Sequence, residues 1–392
     1  MIMKRIAIIF DGSLSDRKGL INAVLNRAKF LIDAAKDIKI DIYNFQSYDN
    51  WLVRKLRHTE ISNIENNVNI DGMNISIFWH SFSLFDYILT TRFKQRSFFA
   101  IKAYKKKSKL FKNYELISAH SINCGRLALE IHNKYGIPYV VTWHGSDIHT
   151  APFNNPYIFE DVYNISEKAS CNFFVSNALS ATSEKINKNI IKTILYNGVS
   201  EDFYRYSDNK RIEIRKKYGV ENKKVICFAG NVIAIKNPLV LPQIFKNIRD
   251  KYNKNEIAFW ILGDGRLRPQ LEKECNNNNL NCTFWGNIIS DKMPEMLNCV
   301  DIQILPSKNE GLPLITIEAL KCGANVVGSN VGGISEAIGK DNVFNLDSDF
   351  VGNISDRIIY MLENNFKQPL SGEFDWKITA KKEYSIYQGI LS

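Results

Sequence analysis

Residues 307–323 read SKNEGLPLITIEALKCG and follow directly on the apolar run DIQILP, residues 301–306. An apolar run, a short polar loop containing glycine and proline, and then an amphipathic stretch predict strand, loop and helix. Pro313 suits the helix start, because the N–H it lacks would have no intrahelical acceptor there. The spacing therefore places Glu310 on the loop at the strand's carboxyl end and Glu318 about one and a half turns into the helix. Free amides around Gly311–Ile315 at a helix N-terminus attract an anion. A carboxylate accepts two hydrogen bonds from neighbouring hydroxyls, so two acids flanking those amides fit a ligand with sugar at Glu310, ribose at Glu318 and pyrophosphate between them.

The same strand–helix alternation runs outward in both directions. Before it lie KVICFAG (224–230), IAFWILG (257–263) and CTFWG (282–286); after it lie ANVVGS (324–329) and NVFNL (342–346). Helical patterns fall near 237–252, 267–276, 313–322 and 351–364. In the first half, RIAIIF (5–10), IKIDIYNF (38–45), ELISAH (115–120), PYVVTWH (138–144) and NFFVS (172–176) read as strands, with amphipathic segments at 19–35 and 124–134. Apolar strands separated by helices predict parallel sheets with helical crossovers. A chain of 392 residues exceeds one ordinary core and suits two domains of roughly 150–200 residues. The Asn-Gly turn signal at 197–198 places the change of domain there, giving Rossmann-like α/β units over 1–198 and 199–374. The final segment, 375–392, has a near-helical apolar spacing (Trp376, Ile378, Tyr384, Tyr387, Ile390) and is expected to pack back on the first domain. Four asparagines at 276–279 read as a solvated loop. Ligands of such sheets bind beyond the carboxyl ends of the strands, so a cleft faced by both sheets is the expected site.

Several further segments end on such strands. AGNVIAIKNP (229–238) carries Gly230, Asn231 and Lys236 on a loop after a strand, where a lysine neutralises phosphate as a point charge. VVTWHGSDIH (140–149) delivers His144 to a strand end, where it can hydrogen-bond a sugar hydroxyl or a leaving phosphate. His144, Asp147 and His149 share no regular face, and no metal is expected. Gly19 opens the first helix and lets backbone approach a phosphate. ILGDGRLRP (261–269) resembles a dinucleotide fingerprint through Gly263 and Gly265, but Arg268 stands at the third glycine, against nicotinamide binding. Asp347-Ser348-Asp349 reads as helix capping rather than as a metal-nucleotide pair.

The net charge is +10, and it is uneven. Residues 1–200 hold 26 Lys+Arg against 17 Asp+Glu, and 201–392 hold 25 against 24, so an anionic partner meets the first half. The segment RFKQRSFFAIKAYKKKSKLFK, residues 92–112, has nine Lys/Arg and no acid. Its interleaved Phe93, Phe98, Phe99, Ile101, Tyr104, Leu110 and Phe111 fit adsorption to an anionic membrane surface. The first residues, MIMKRIAIIFDG, are too short for a signal peptide and read as a strand, and no apolar run approaches a membrane span of roughly 18–20 residues. Seven scattered cysteines without a Cys-x-x-Cys pair fit a reducing cytoplasm and no structural zinc.

These pieces, in this order, resemble the retaining glycosyltransferases of family 4, which have the GT-B fold. The most specific stretch is SKNEGLPLITIEALKCGANVVGSNVGGISEAI, with the Glu–seven–Glu spacing and the Gly-Gly-x-x-Glu at Gly332, Gly333 and Glu336. TWHGSD, YNGVSEDF, GNVIAIKN, LGDG and FWGNI match further family landmarks. The resemblance implies that Glu310 contacts the transferred sugar and that Gly311, Leu312, Pro313 and Leu314 run along the donor. It implies that Glu318 holds the ribose, that Lys236 and the Gly230-Asn231 turn meet the diphosphate, and that His144 faces the reacting sugar. Gly19 would lie near the donor phosphate, and Gly286 and Ile288 near the base. Many relatives have Arg at the position of Asn231, and its absence removes one cation from the phosphate site. The implied activity is a retaining transfer from a nucleotide-diphosphate sugar, without metal or other cofactor, to a lipid-linked saccharide acceptor. The implied setting is synthesis of a bacterial surface polysaccharide such as O-antigen, capsule or lipopolysaccharide, in the cytoplasm at the inner face of the membrane. A sugar-nucleotide epimerase of the same fold and a basic nucleic-acid-binding protein are the alternatives; nucleic acid is not the expected partner.

Overall fold

The computed structural model describes residues 3–14, 19–57, 65–92, 98–252 and 256–392, with backbone alone for 98–100. The chain divides into two compact units, Met1–Asn197 with Trp376–Ser392, and Gly198–Asp375.

The described strands of the first unit are β1 (Lys4–Asp11), β2 (Ile38–Asp49), β3 (Asn67–Ile70), β4 (Met73–Phe82), β5 (Leu116–His120), β6 (Tyr139–Trp143), β7 (Cys171–Phe174) and β8 (Lys192–Ile194). They form one sheet in the order β3-β4-β2-β1-β5-β6-β7-β8. Ile6 to Phe10 of β1 and all of β5, β6 and β7 are buried, as expected for parallel strands covered on both faces. The all-parallel expectation needs one correction: β3 and β4 pair antiparallel. Their two-residue turn puts Asp71 at φ 51° and Gly72 at φ 81°, the left-handed pair that Asp-Gly favours in a tight hairpin.

The helix Trp376–Leu391 lies against the helix Gly19–Ala34 within this unit. The contact is apolar around a buried ion pair. Arg27 Nε donates to Glu383 Oε2 at 2.5 Å, with side chains only 2% and 1% exposed. The Tyr387 hydroxyl donates to the other Glu383 oxygen at 2.5 Å, and Thr379 bonds the Tyr196 carbonyl.

The second unit holds β9 (Lys224–Ala229), β10 (Ile257–Leu262), β11 (Cys282–Gly286), β12 (Ile302–Leu305), β13 (Asn325–Ser329) and β14 (Val343–Phe344). Their order is β11-β10-β9-β12-β13-β14, and every pair is parallel. This is the doubly wound order of a dinucleotide-binding sheet, and the strand order reverses between β9 and β12. Its helices follow the expected apolar spacing. In Leu241–Lys251, for example, Leu241, Ile244, Phe245 and Ile248 are buried at one helical face.

Two local features depart from the apolar pattern. The charged stretch after Gly198, where that pattern marks no element, contains a helix, Asp208–Lys217, of which only Ile214 is buried. It is fastened by cations rather than by an apolar stripe: Arg211 donates to the Asn298 carbonyl, and Arg215 to the Cys299 carbonyl and to Asp301. In the asparagine run, Asn276 and Asn277 end a helix, Arg268–Asn277, and Asn279 is left-handed at φ 52°. Asparagine tolerates that conformation and so stops helices.

Among the described residues, no helix is long and apolar enough to cross a membrane.

Breaking the Arg27–Glu383 pair strands a buried charge. Arg27→Ala is expected to lose about 3–5 kcal/mol of stability, and Arg27→Met with Glu383→Leu markedly less. Urea unfolding of the single and double variants measures both.

Candidate active site

The loops leaving β9 and β12 meet at the point where the strand order of the second sheet reverses. Ala229 ends β9, and the chain passes through Gly230 and Asn231 to a single 3₁₀ turn, Ala234–Lys236. Asn237 then turns left-handed at φ 52° and redirects the chain toward the next helix. Leu305 ends β12, and Pro306 to Pro313 lead to the helix Leu314–Lys321. Lys236 Nζ and Glu310 Oε1 are 2.5 Å apart, with side chains 22% and 11% exposed. Ser307 Oγ donates to the same carboxylate oxygen at 2.7 Å. The two loops are also joined by the Lys308 N–H, which donates to the Ile235 carbonyl at 2.8 Å.

Glycines let backbone press on backbone behind these loops. A Cβ on Gly263 would lie 2.0 Å from the Gly230 carbonyl oxygen, and one on Gly265 2.5 Å from that of Val232. The Val232 N–H donates to the Asp264 carbonyl, and the Leu267 N–H to the Val232 carbonyl. The Gly263/Gly265 motif is therefore a brace for the lysine loop. Arg268, in place of a third glycine, bridges Asp264 at 2.9 Å and Glu272 at 2.7 Å. On the other side, Gly332 at φ 52° would put a Cβ 1.8 Å from the Glu310 carbonyl oxygen, and the Gly333 N–H donates to the Gly311 carbonyl.

The helix after Glu310 begins one residue later than its sequence suggests. Pro313 is extended (φ −73°, ψ 110°) and precedes the helix rather than sitting in its first turn. The Leu314 and Ile315 amides, in that first turn, lack an intrahelical acceptor. Gly311, Leu312 and Pro313 are buried and Leu314 half-buried. Glu318 is half-buried, and among the described residues its carboxylate has no ion-pair or hydrogen-bond partner. Burial pushes its pKa up to about 7. Gly286 ends β11 at φ 68°, its carbonyl accepts the Gly263 N–H, and Ile288 lies two residues further along, half-buried.

His144 and Gly19 belong to the first unit. Gly19 is the first residue of its helix, and a side chain there would meet nothing. His144 follows β6, and its Nε2 is 3.0 Å from Nδ1 of His120, the last residue of β5. Burial, with the Arg27 charge as a second cause, lowers the His144 pKa to about 3; His120 is likewise driven down, chiefly by burial. Two neutral imidazoles thus share one hydrogen bond. Asp147 accepts from the His144 and Gly145 amides at 3.0 and 2.8 Å, and His149 bonds Thr150, so these side chains brace their own loop. Asp347 likewise accepts from the Asp349 amide ahead of a helix.

Sequence reasoning passed over His120 and Asp11, which also end strands. Asp11 accepts from Asn123 at 2.8 Å and from the Tyr104 hydroxyl at 3.4 Å, and burial raises its pKa. Between these groups Ser121 stands at φ 97°, an unusual backbone for a serine. The available signal was position alone: both acid and imidazole are the last residues of adjacent strands.

Two α/β units with Rossmann-type sheets, one carrying paired charges at its switch point, define the GT-B class of protein. Residues 210–375, nearly the whole second unit, match the family model "Glycosyl transferases group 1". TuaC of Bacillus subtilis (strain 168), provisionally named a teichuronic acid biosynthesis glycosyltransferase, is 26% identical over 58% of this chain and 56% of its own length. The match thus spans little more than half of that relative. Glycosyltransferase MJ1178 of Methanocaldococcus jannaschii, uncharacterized, is 22% identical over 94% of this chain and 95% of its own. Among solved structures, Anabaena Alr3699/HepE in complex with UDP and glucose shares the fold with a TM-score of 0.68 and 16% identity, over 99% of this chain and 98% of that one.

Two outcomes test this geometry. Gly332→Ala must displace the Glu310 loop, and is expected to cost on the order of 2 kcal/mol or more in urea unfolding. A carboxyl whose pKa is raised on folding favours the folded chain at low pH and penalises it as pH climbs from about 4.5 toward 7. Glu318→Gln should therefore gain roughly 1–3 kcal/mol over the parent near pH 8, and much less near pH 5.

Proposed function

We propose that the protein is a retaining glycosyltransferase of family 4 type that moves a sugar from a nucleotide-diphosphate sugar to a saccharide acceptor. The observation carrying this reading is the Lys236–Glu310 pair, 2.5 Å apart at the switch point of the second sheet. There a diphosphate entering the loop competes with the Glu310 carboxylate for the lysine. Lys236 and the Leu314 and Ile315 amides stabilise charge growing on the departing diphosphate, and Glu310, once released, meets the transferred sugar. Glu318 holds the ribose, the backbone of Gly311–Leu314 and of Gly230-Asn231 follows the pyrophosphate, and Gly286 and Ile288 flank the base. His144, a neutral imidazole at physiological pH, hydrogen-bonds the reacting sugar without adding charge, and Gly19 meets the donor phosphate.

In the reaction the bond from the anomeric carbon to the diphosphate oxygen breaks. The acceptor oxygen takes its place on the same face, and its proton leaves with the nucleoside diphosphate. The sugar passes through an oxocarbenium-like state. Lysine and amides supply the stabilisation of the leaving group, so no metal is required.

The acceptor is a lipid-linked saccharide of surface-polysaccharide assembly, and the protein works at the cytoplasmic face of the membrane. Support comes from the basic first half of the chain and from the naming of TuaC for teichuronic acid biosynthesis. The basic segment 92–112 needs a correction as a surface element. Tyr104 and Phe111 are buried; Tyr104 stacks on Phe45 at 4.4 Å and Phe111 packs edge-on to Tyr43 at 5.2 Å. Phe93 lies outside the described residues, as do the side chains of Phe98 and Phe99. Helical period is the reason: a helix that turns its lysines to water must turn Tyr104 inward.

Lys236→Ala and Glu310→Ala should each lower turnover on the order of 10²-fold or more. The measurement is release of nucleoside diphosphate, with the donor chosen by thermal shift against a panel of UDP-, GDP- and other nucleotide sugars. Near-parental turnover in both variants would remove the site assignment.

A further inference from the structure

A cavity of about 940 Å³ opens on the first unit among the helices Leu84–Thr91, Phe98–Lys106, Ile122–Tyr135 and Pro156–Lys168. Its volume lies within the range that takes a small ligand. The lining divides into two chemistries. Phe85, Leu89 and Ile101 supply apolar wall, with the ring of Tyr157 opposite in character only through its hydroxyl. Lys102, Lys105, Lys106, Lys109 and Lys134 supply charge, and among the described residues none that lines the cavity is acidic.

The helix Phe98–Lys106 explains the arrangement. Ile101, Lys102, Lys105 and Lys106 fall on one face, while Tyr104 is buried on the other. Behind the cavity Glu130 takes Lys134 at 2.7 Å and Lys105 at 3.2 Å. Among the described residues Lys102, Lys106 and Lys109 have no carboxylate partner. Three uncompensated ammonium groups thus stand over hydrocarbon wall. Phe85 is 53% exposed, and Ile88 and Leu110 are exposed nearby in sequence.

We propose that this cavity binds the phosphate end of a membrane lipid, a mono- or diphosphate ester of a long alkyl or isoprenyl chain. The lysines hold the phosphate, and the first methylenes of the chain run along Phe85, Leu89 and Ile101. The proposal rests on the reading of the acceptor as lipid-linked, and it adds a location and a headgroup chemistry to that reading. Charge complementarity selects an anion. Leu89 and Ile101 supply aliphatic wall for an alkyl chain, which a nucleic acid, held by bases stacked on aromatic rings, does not use.

The test uses the full chain and vesicles of phosphatidylcholine with or without phosphatidic acid. Two variants separate the contributions: Lys102→Glu with Lys109→Glu changes charge, and Leu89→Ser with Ile101→Ser changes the wall at constant charge. The parent should sediment with the acidic vesicles only, and each double variant should bind them at least about tenfold more weakly. Glycerol 3-phosphate should not displace the protein. Parental binding by the wall variant would reduce the effect to surface charge and overturn the proposal, as would displacement by glycerol 3-phosphate or absence of vesicle binding in the parent. Calorimetric titration with the nucleotide sugar, alongside circular dichroism, keeps the two readings apart. Donor binding that persists in a chain indifferent to vesicles sinks the cavity alone; vesicle binding without any donor binding sinks the transferase reading alone.

Discussion

Backbone in the second unit comes so close to backbone that no side chain fits between, and the candidate site depends on that constraint. The Gly263 and Gly265 segment presses on the loop that carries Lys236, and Gly332 presses on the loop that carries Glu310. Neither loop has regular secondary structure beyond short 3₁₀ turns. Their positions come from amide–carbonyl bonds across the contact and from the direct bond between Lys308 and Ile235. An ion pair at a surface loop is ordinarily worth little. Here both partners are mostly covered, and the loops beneath them are fixed, so the pair is held where a ligand can divide it.

The first unit arranges its strand ends differently. Its polar groups there are buried or half-buried, and they satisfy one another: Asp11 with Asn123 and Tyr104, His120 with His144. Desolvation moves the acid up and the imidazoles down, toward neutrality in each case. One unit thus presents charge on its loops and the other a pair of neutral imidazoles that bond to each other. The Arg27–Glu383 pair ties the C-terminal helix to the first helix of the unit, and the Arg27 charge also helps to lower the pKa of both histidines.

Particular elements show how far the residues could be read in advance. The strands and helices of the second unit were legible because each strand is a continuous apolar run between loop signals and each helix keeps its period. Glu310 and Lys236 were legible because each follows such a strand. The β3–β4 hairpin was missed although Asp71-Gly72 announces a tight turn and Val68, Ile70, Met73, Ile75 and Ile77 alternate with polar residues around it, since continuous apolar runs rather than alternation marked the other strands. The helix Asp208–Lys217 was missed because arginines bonded to distant carbonyls hold it, and no apolar stripe records that. Tyr104 and Phe111 were read as outward-facing because composition alone does not say which face of a basic helix meets the sheet.

The sequence by itself determined the α/β class, the parallel pairing of the central strands and the placing of Lys236, Glu310 and His144 after strands. Those properties follow from local hydrophobic period and from turn chemistry. The tertiary structure alone decided that Lys236 meets Glu310, that His144 meets His120, and that the glycines of the Gly263 motif brace a neighbouring loop. Each of these is a contact between segments distant in the chain. It depends on which strands become neighbours and on how closely their loops approach, and neither is encoded in any single stretch of residues.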